Sequence, residues 1–165
     1  MNSAYLILGG NIGNKLKNLE NTRLRIQENI GNITGISEIF ITAPWGNTEQ
    51  PDFYNQALIV ETALSPESLL DELLKIEAEN GRVRDDKKWS ERTIDIDILF
   101  YNDEIISLPK LKVPHPHIQV RRFVLAPLAQ IAGEFIHPVF KESIASLLRD
   151  CPDNSAISIL KKTAG

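Results

Sequence analysis

The chain has 165 residues, 42% of them hydrophobic and 24% charged, with a net charge of −4 and one cysteine, Cys151. That length supports one domain with its own core, burying roughly 70% of the surface its unfolded chain exposes. No apolar run approaches the roughly 20 residues of a membrane span; one cysteine excludes an internal disulfide and a Cys-based zinc site; and the acidic balance excludes a general electrostatic match to nucleic acid. Met1 to Ala4 shows no basic-then-apolar pattern, so no signal peptide and a cytoplasmic setting are expected. The cations are unevenly placed, with Arg82, Arg84, Lys87, Lys88 and Arg92 close together and Arg121-Arg122 further on. A local basic patch on a mildly acidic protein suits a small anionic ligand.

In chain order, Tyr5 to Leu8 reads as a buried strand ending in the turn Gly9-Gly10-Asn11-Ile12-Gly13. Leu16, Leu19, Ile26 and Ile30 predict an amphipathic helix stopped by Gly31. One strand is expected over Ile33 to Thr42, and a central one over Phe53 to Thr62, apolar on both sides. Ser65-Pro66-Glu67 is a helix start: a capping hydroxyl, proline in the first turn and a carboxylate at the positive end of the dipole. This helix should reach about Asn80, with Leu69, Leu70, Leu73, Leu74 and Ala78 as its apolar stripe. Ile94 to Tyr101 reads as a strand and Leu108 to His117, with three prolines, as an extended loop. Helices follow over Arg122–Ala132 and Ser143–Arg149, with loose final residues. Without strict βαβ alternation, repeats or a visible boundary, the pattern predicts a single α+β layered domain over 1–165.

Within Thr93-Ile-Asp-Ile-Asp-Ile-Leu-Phe100, strand alternation sends Ile94, Ile96, Ile98 and Phe100 one way and Asp95 and Asp97 the other. Two carboxylates about 7 Å apart along a strand repel unless a cation neutralises them. Hard oxygen ligands without a Cys or His pair favour Mg²⁺ completed by phosphate oxygens. Two solvated aspartates on an outer strand face would look the same. Arg82 and Arg92 strengthen the metal–phosphate reading, whereas Lys87-Lys88 fit an ordinary charged loop. Glu77 falls where the helix pattern wants a hydrophobe, so it needs a partner, a cation or a ligand. No P-loop, dinucleotide fingerprint or Gly-x-Ser-x-Gly elbow occurs. His115-Pro116-His117 lacks zinc-helix spacing, although His115 follows Lys110 and Lys112 and could reach phosphate.

Taken together, the Gly9–Gly13 turn, Gln50-Pro-Asp-Phe-Tyr-Asn55, Glu77-Ala-Glu-Asn-Gly-Arg-Val-Arg84, Arg92-Thr-Ile-Asp-Ile-Asp-Ile-Leu99 and Val113-Pro-His115 resemble the 6-hydroxymethyl-7,8-dihydropterin pyrophosphokinases of folate biosynthesis. The matches run in order over most of the chain, and the Gly-Arg-Val-Arg and Arg-Thr-Ile-Asp-Ile-Asp-Ile-Leu blocks are the specific part. The resemblance implies a ferredoxin-like α/β sandwich, with a mainly antiparallel sheet and helices on both faces. It implies transfer of the terminal diphosphate of ATP to the pterin's hydroxymethyl oxygen, with two Mg²⁺ ions and AMP as the second product. Asp95 and Asp97 match the metal ligands, and Arg82 and Arg92 the arginines at the transferring phosphates. Nucleotide contacts carry over to Leu70, Glu77, Arg84, Trp89, Arg92, Ile98, Lys110, Lys112, His115 and Arg121. Pterin contacts carry over to Thr42, Pro44, Trp45, Phe53, Asn55 and Phe123. The expected partners are these two small molecules, met by a monomer, with no nucleic acid and no membrane.

The chain departs from the family pattern at several points. Gly10 stands where serine is common, Ala43 where proline is, and Phe53 where tyrosine is; Ser90-Glu91 replace Gly-Pro, and Lys110 and Lys112 match only approximately. On the residues alone, a metal-dependent nucleotide hydrolase or nuclease, or a non-catalytic ATP- or pterin-binding module, is the competing reading.

Overall fold

A computed structural model describes residues 1–43, 51–80 and 93–160. Strand β1 (Asn2–Gly10) leads through the Asn14-capped helix α1 (Lys15–Asn29) into β2 (Gly31–Ile36) and β3 (Phe40–Thr42). Then come β4 (Phe53–Thr62), helix α2 (Pro66–Glu79) and β5 (Asp95–Tyr101). A small ribbon, β6 (Ile106–Ser107) with β7 (Lys112–Val113), precedes a 3₁₀ turn at Ile118–Val120, helices α3 (Arg122–Ala132) and α4 (Ile144–Arg149), and β8 (Ile157–Ile159).

The main sheet runs β5-β1-β4-β3-β8, with β2 also on β4. Every pairing in it is antiparallel. Counting β2 and β3 as one interrupted strand, the order β1-α1-β2/β3-β4-α2-β5 is the βαββαβ pattern of a ferredoxin-like sandwich. The sheet is covered on both faces. Ala4, Leu6 and Leu8 of β1, Leu58 and Val60 of β4, and Ile96 and Ile98 of β5 pack under Leu19 and Ile26 of α1 and Leu69, Leu73 and Ile76 of α2. On the other face Ile7, Ala57, Leu99 and Phe100 pack against Val124, Leu125 and Leu128 of α3 and Ile144 and Leu147 of α4. Each fully buried side chain of this kind contributes about 1.5–3 kcal/mol.

Several expectations need correction. The strand expected over Ile33–Thr42 is broken, because Ser37 interrupts the ladder: its N–H donates to the Ala57 carbonyl at 3.0 Å, and its hydroxyl accepts the Ala57 N–H at 2.9 Å. Leu16 of α1 is exposed, as are Leu74 and Ala78 of α2, where Ile76 takes the place expected for the latter two in the core. The loop expected over Leu108–His117 contains β7, and a strand not expected from the sequence, β8, pairs with β3; residues 161–165, expected to be loose, lie outside the described residues. Phe100 does not share a face with the isoleucines. Tyr5 pairs with Phe100 and Leu6 with Ile98, so Leu99 is an extra residue in β5, and such a bulge re-aims the side chains beyond it. Gly31 does more than stop α1, since a Cβ there would lie 2.0 Å from the Glu61 carbonyl oxygen. Only glycine lets β2 come that close to β4.

His137, 2% exposed, anchors the α3–α4 connection. Its Nδ1 accepts the N–H groups of Val139 at 3.1 Å and Phe140 at 3.2 Å, and its ring meets Phe100 edge-on at 5.3 Å. Those bonds require an unprotonated Nδ1, and burial holds the imidazole pKa below its ordinary 6.5. The unfolded chain therefore takes up the proton first as pH falls through 6.5, so folding stability drops below that pH and levels off under the folded pKa. Urea denaturation across about pH 7.5 to 5.5 is expected to show this loss, and His137→Asn to make it shallower, since half-buried His115 contributes in the same direction. A slope unchanged in that variant contradicts the assignment.

Candidate active site

Strand β5 is the edge of the sheet and carries the acids. Its inner side is zipped to β1, pairing Gly9 with Asp95 and Ile7 with Asp97. β1 in turn pairs Gly9 with Asn55 and Ile7 with Ala57, and β3 pairs Thr42 with Phe53. Residues directly opposite share a face. Asn55, Gly9 and Asp95 thus form one row on the α3 side of the sheet, and Ala57, Ile7 and Asp97 the next. Asp95 is half-buried and Asp97 exposed.

A cleft of about 180 Å³ opens on this face, lined by both aspartates together with Phe53, Asn55, His115, Arg121 and Phe123. An apolar cavity of ~150 Å³ accepts a benzene ring, so this cleft has room for a flat heteroaromatic group. Gly9 forms its floor: a Cβ there would sit 2.8 Å from Asn55 Oδ1. The Asn55 amide is set by its Nδ2 donating to Thr42 Oγ1 at 3.1 Å, both residues being buried. An oriented amide beside aromatic rings is how a polar heterocycle is gripped at its edge.

His115 stands across from the acids. Its backbone N–H donates to the Leu99 carbonyl at 3.0 Å, and its Nδ1 accepts the His117 N–H at 3.3 Å. The neutral ring therefore carries its proton on Nε2. Burial pushes its pKa down, Asp97 opposes this, and Arg121 and His117 add to it. The Arg121 guanidinium lies 5.8 Å from the Phe123 ring centroid, within cation–π range.

Glu77 finds its partner in the backbone. It is 5% exposed, and its Oε2 accepts the Ile96 N–H at 2.7 Å, between the two aspartates on the open side of β5. Ile98, read as a nucleotide contact, is 5% exposed in the core under α1 and α2, on the face away from Asp97. Leu70 and Lys110 meet in a separate depression of about 220 Å³ with Glu67, Asp71, Leu108, Pro109 and Leu111. Lys112 lies exposed on the β6–β7 ribbon, its Nζ 3.0 Å from Ser107 Oγ. The expected nucleotide residues thus fall in more than one place. Pro44, Trp45, Arg82, Arg84, Trp89 and Arg92 lie outside the described residues.

Sequence reasoning missed Ile7, Leu99 and Val124 as cleft-lining residues. Alternation along β1 could have grouped Ile7 with Gly9, but only the pairing with β5 brings both to the acids. Among the described residues no group of three or more His, Cys, Asp or Glu side chains gathers as a metal cage. The two carboxylates fit Mg²⁺, which takes one or two such ligands and completes its shell with phosphate and water.

A family model described as 7,8-dihydro-6-hydroxymethylpterin-pyrophosphokinase matches residues 5–133. The chain belongs to this family. A 2-amino-4-hydroxy-6-hydroxymethyldihydropteridine pyrophosphokinase of Haemophilus influenzae is 37% identical over 161 residues, covering 96% of this chain and 99% of the relative. Its counterpart in Bacillus subtilis is 41% identical over 134 residues, 81% of this chain and 80% of that one. The folic acid synthesis protein fol1 of Pneumocystis carinii is 38% identical over 158 residues, but these are only 21% of its length. Among solved structures, a Plasmodium falciparum HPPK-DHPS triple mutant with SDX-DHP superposes with a TM-score of 0.73 at 20% identity. The match covers 90% of this chain and 44% of that longer one, and at that identity it speaks for the fold alone.

Removing the Glu77 carboxylate leaves the buried Ile96 N–H without an acceptor. Glu77→Ala is expected to cost about 1–3 kcal/mol of stability and to lower turnover by loosening the strand that carries both acids. Glu77→Gln, which keeps an acceptor oxygen, is expected to be milder in both. Thermal melts and AMP release read the two effects.

Proposed function

We propose that this protein transfers the pyrophosphoryl group of ATP to the hydroxymethyl oxygen of 6-hydroxymethyl-7,8-dihydropterin, giving the pterin diphosphate and AMP in folate biosynthesis. The observation that carries this reading is one cleft holding both a carboxylate pair and an aromatic, amide-edged wall. Phe53 and Phe123 stack the pterin ring while Asn55, set by Thr42, reads its edge. The family resemblance assigns Pro44 and Trp45 to the pterin as well. The pterin hydroxyl oxygen bonds to the β-phosphorus, the bond from that phosphorus to the AMP oxygen breaks, and the hydroxyl proton is released.

Asp95 and Asp97 are the residues that would hold Mg²⁺, two ions in this reading, and bound there the metal neutralises charge on the triphosphate. His115 donates from Nε2, and Arg121 offers a fixed cation, on the same side as the acids. Arg82 and Arg92 stabilise charge on the transferring group, and Arg84 and Trp89 bind ATP, roles that rest on the family resemblance. Leu70 and Lys110 hold the nucleotide's remote end, with Lys112 beside them and Ile98 in the core beneath. Glu77 serves the nucleotide site in part through β5, since its Oε2 holds the Ile96 N–H. Positioning and charge stabilisation do most of the work in such a transfer.

The reading treats residues 1–165 as one pyrophosphokinase domain, a cytoplasmic monomer acting on small molecules rather than on nucleic acid or a membrane. No helix among the described residues is long and apolar enough to cross a membrane.

The test follows AMP in mixtures of protein, Mg-ATP and the dihydropterin alcohol. AMP that appears only with the pterin is the expected result; AMP or ADP without it indicates a hydrolase, and neither product indicates a binding module. Asp97→Ala is expected to lower turnover by about 10²-fold or more with little change in melting temperature, because Asp97 is exposed. Full activity in that variant would remove the metal assignment.

A further inference from the structure

Phe123 lines the candidate cleft on one side and, on the other, a groove of about 470 Å³ shared with His117, Val120, Arg121 and Asp153. Its ring packs partly against the α3–α4 core, but with open space on two sides its exact place depends also on the backbone of the first turn of α3. That turn lacks a cap of its own, as Arg121 at the N-cap makes no side-chain hydrogen bond to it.

The acceptor comes from the C-terminal segment. Asp153 Oδ2 accepts the Arg122 N–H at 3.1 Å, one residue before Phe123. Its other oxygen, Oδ1, accepts the Ser155 N–H at 2.9 Å and the Ser155 hydroxyl. Burial acts to raise the Asp153 pKa, but the bonds from Ser155 and Arg122 and the charge of Arg122 outweigh it and hold the carboxyl below its ordinary value. An ionised carboxylate is also what the positive end of α3 favours. Two residues past Ser155, Ile157 of β8 pairs with Thr42 of β3, and Thr42 orients Asn55. A bonded path through Arg122, Asp153, Ser155 and Ile157 therefore joins the wall bearing Phe123 to the wall bearing Thr42.

We infer that Asp153 is a positioning residue for the pterin: it fixes the first turn of α3, and with it Phe123, against the β3–β4 wall. The inference rests on the assignment of Phe53 and Phe123 to the pterin. Arg121 heads the same turn, its carbonyl accepting the Val124 and Leu125 N–H groups at 3.1 Å. It has a second hold in its own N–H donating to the Ile118 carbonyl at 3.3 Å, so the ATP side depends less on this tether than Phe123 does.

Steady-state kinetics of the full chain, with Mg-ATP and the dihydropterin alcohol each varied, test it. Asp153→Ala is expected to raise the pterin KM by up to about five- to tenfold, the ceiling reached if the whole free energy of a lost helix cap falls on pterin binding, with the ATP KM held within about twofold. Asp153→Asn keeps an acceptor oxygen and is expected to recover most of the loss. Both KM values rising together, a lower melting temperature with unchanged kinetics, or an Asn variant no better than Ala would each overturn the inference. Phe123→Ala separates the two layers. If it raises the pterin KM while Asp153→Ala does not, the tether alone is wrong; if it leaves the pterin KM unchanged, the pterin assignment falls and the inference with it.

Discussion

A sheet edge is a row of backbone groups without strand partners, and in this fold that edge carries the acids. The hydrogen bond from Ile96 to Glu77 closes it. Among the described residues β5 has a strand partner, β1, on one side only, and its other side is met by the Glu77 carboxylate and by the His115 backbone on the Leu99 carbonyl. A carboxylate buried under α2 is costly unless it accepts hydrogen bonds, and a buried N–H without an acceptor costs about 1–3 kcal/mol. Each group removes the other's penalty. The bond also falls between Asp95 and Asp97, so it steadies the strand where both side chains must be aimed.

The sheet divides its two faces between different tasks. The α1–α2 face is packed along its length, and Ile96 and Ile98 belong to it. The α3–α4 face is packed around Ile7, Ala57, Leu99 and Phe100, leaving the Gly9 end open as the cleft. The Leu99 bulge makes that division possible, because it sends Leu99 and Phe100 into the second core after Ile96 and Ile98 have entered the first. An unbroken alternation would have placed Phe100 with the isoleucines and left the core under α3 short of a large ring. At the open end, glycine at position 9 and the Thr42–Asn55 bond leave space and orientation for a flat ligand.

Local pattern was enough for most elements. The span of β4, the Ser65-capped start of α2 and the span of α3 follow from periodicity and capping chemistry read over a few residues. Errors fell where a distant partner decides. Ser37 breaks a strand because its hydroxyl meets the Ala57 N–H, and β8 is a strand because β3 offers it an edge. Leu74 and Ala78 matched the apolar spacing of α2, yet the helix rolls to bury Ile76 and Glu77 instead.

For the site, the residues by themselves determined that Asp95 and Asp97 share one strand face, that Glu77 needs a buried partner, and that the motif blocks belong to a pyrophosphokinase. Alternation, helical spacing and short motifs are local, and a chain states them in order. Only the tertiary structure decided that the partner of Glu77 is the Ile96 N–H, that Gly9 and Asn55 share a row with Asp95, and that Asp153 caps the helix carrying Phe123. Those facts are set by strand register and by contacts between segments far apart in the chain. Their physical basis is the need to satisfy each buried backbone and side-chain polar group, and the sequence does not say which distant atom will do so.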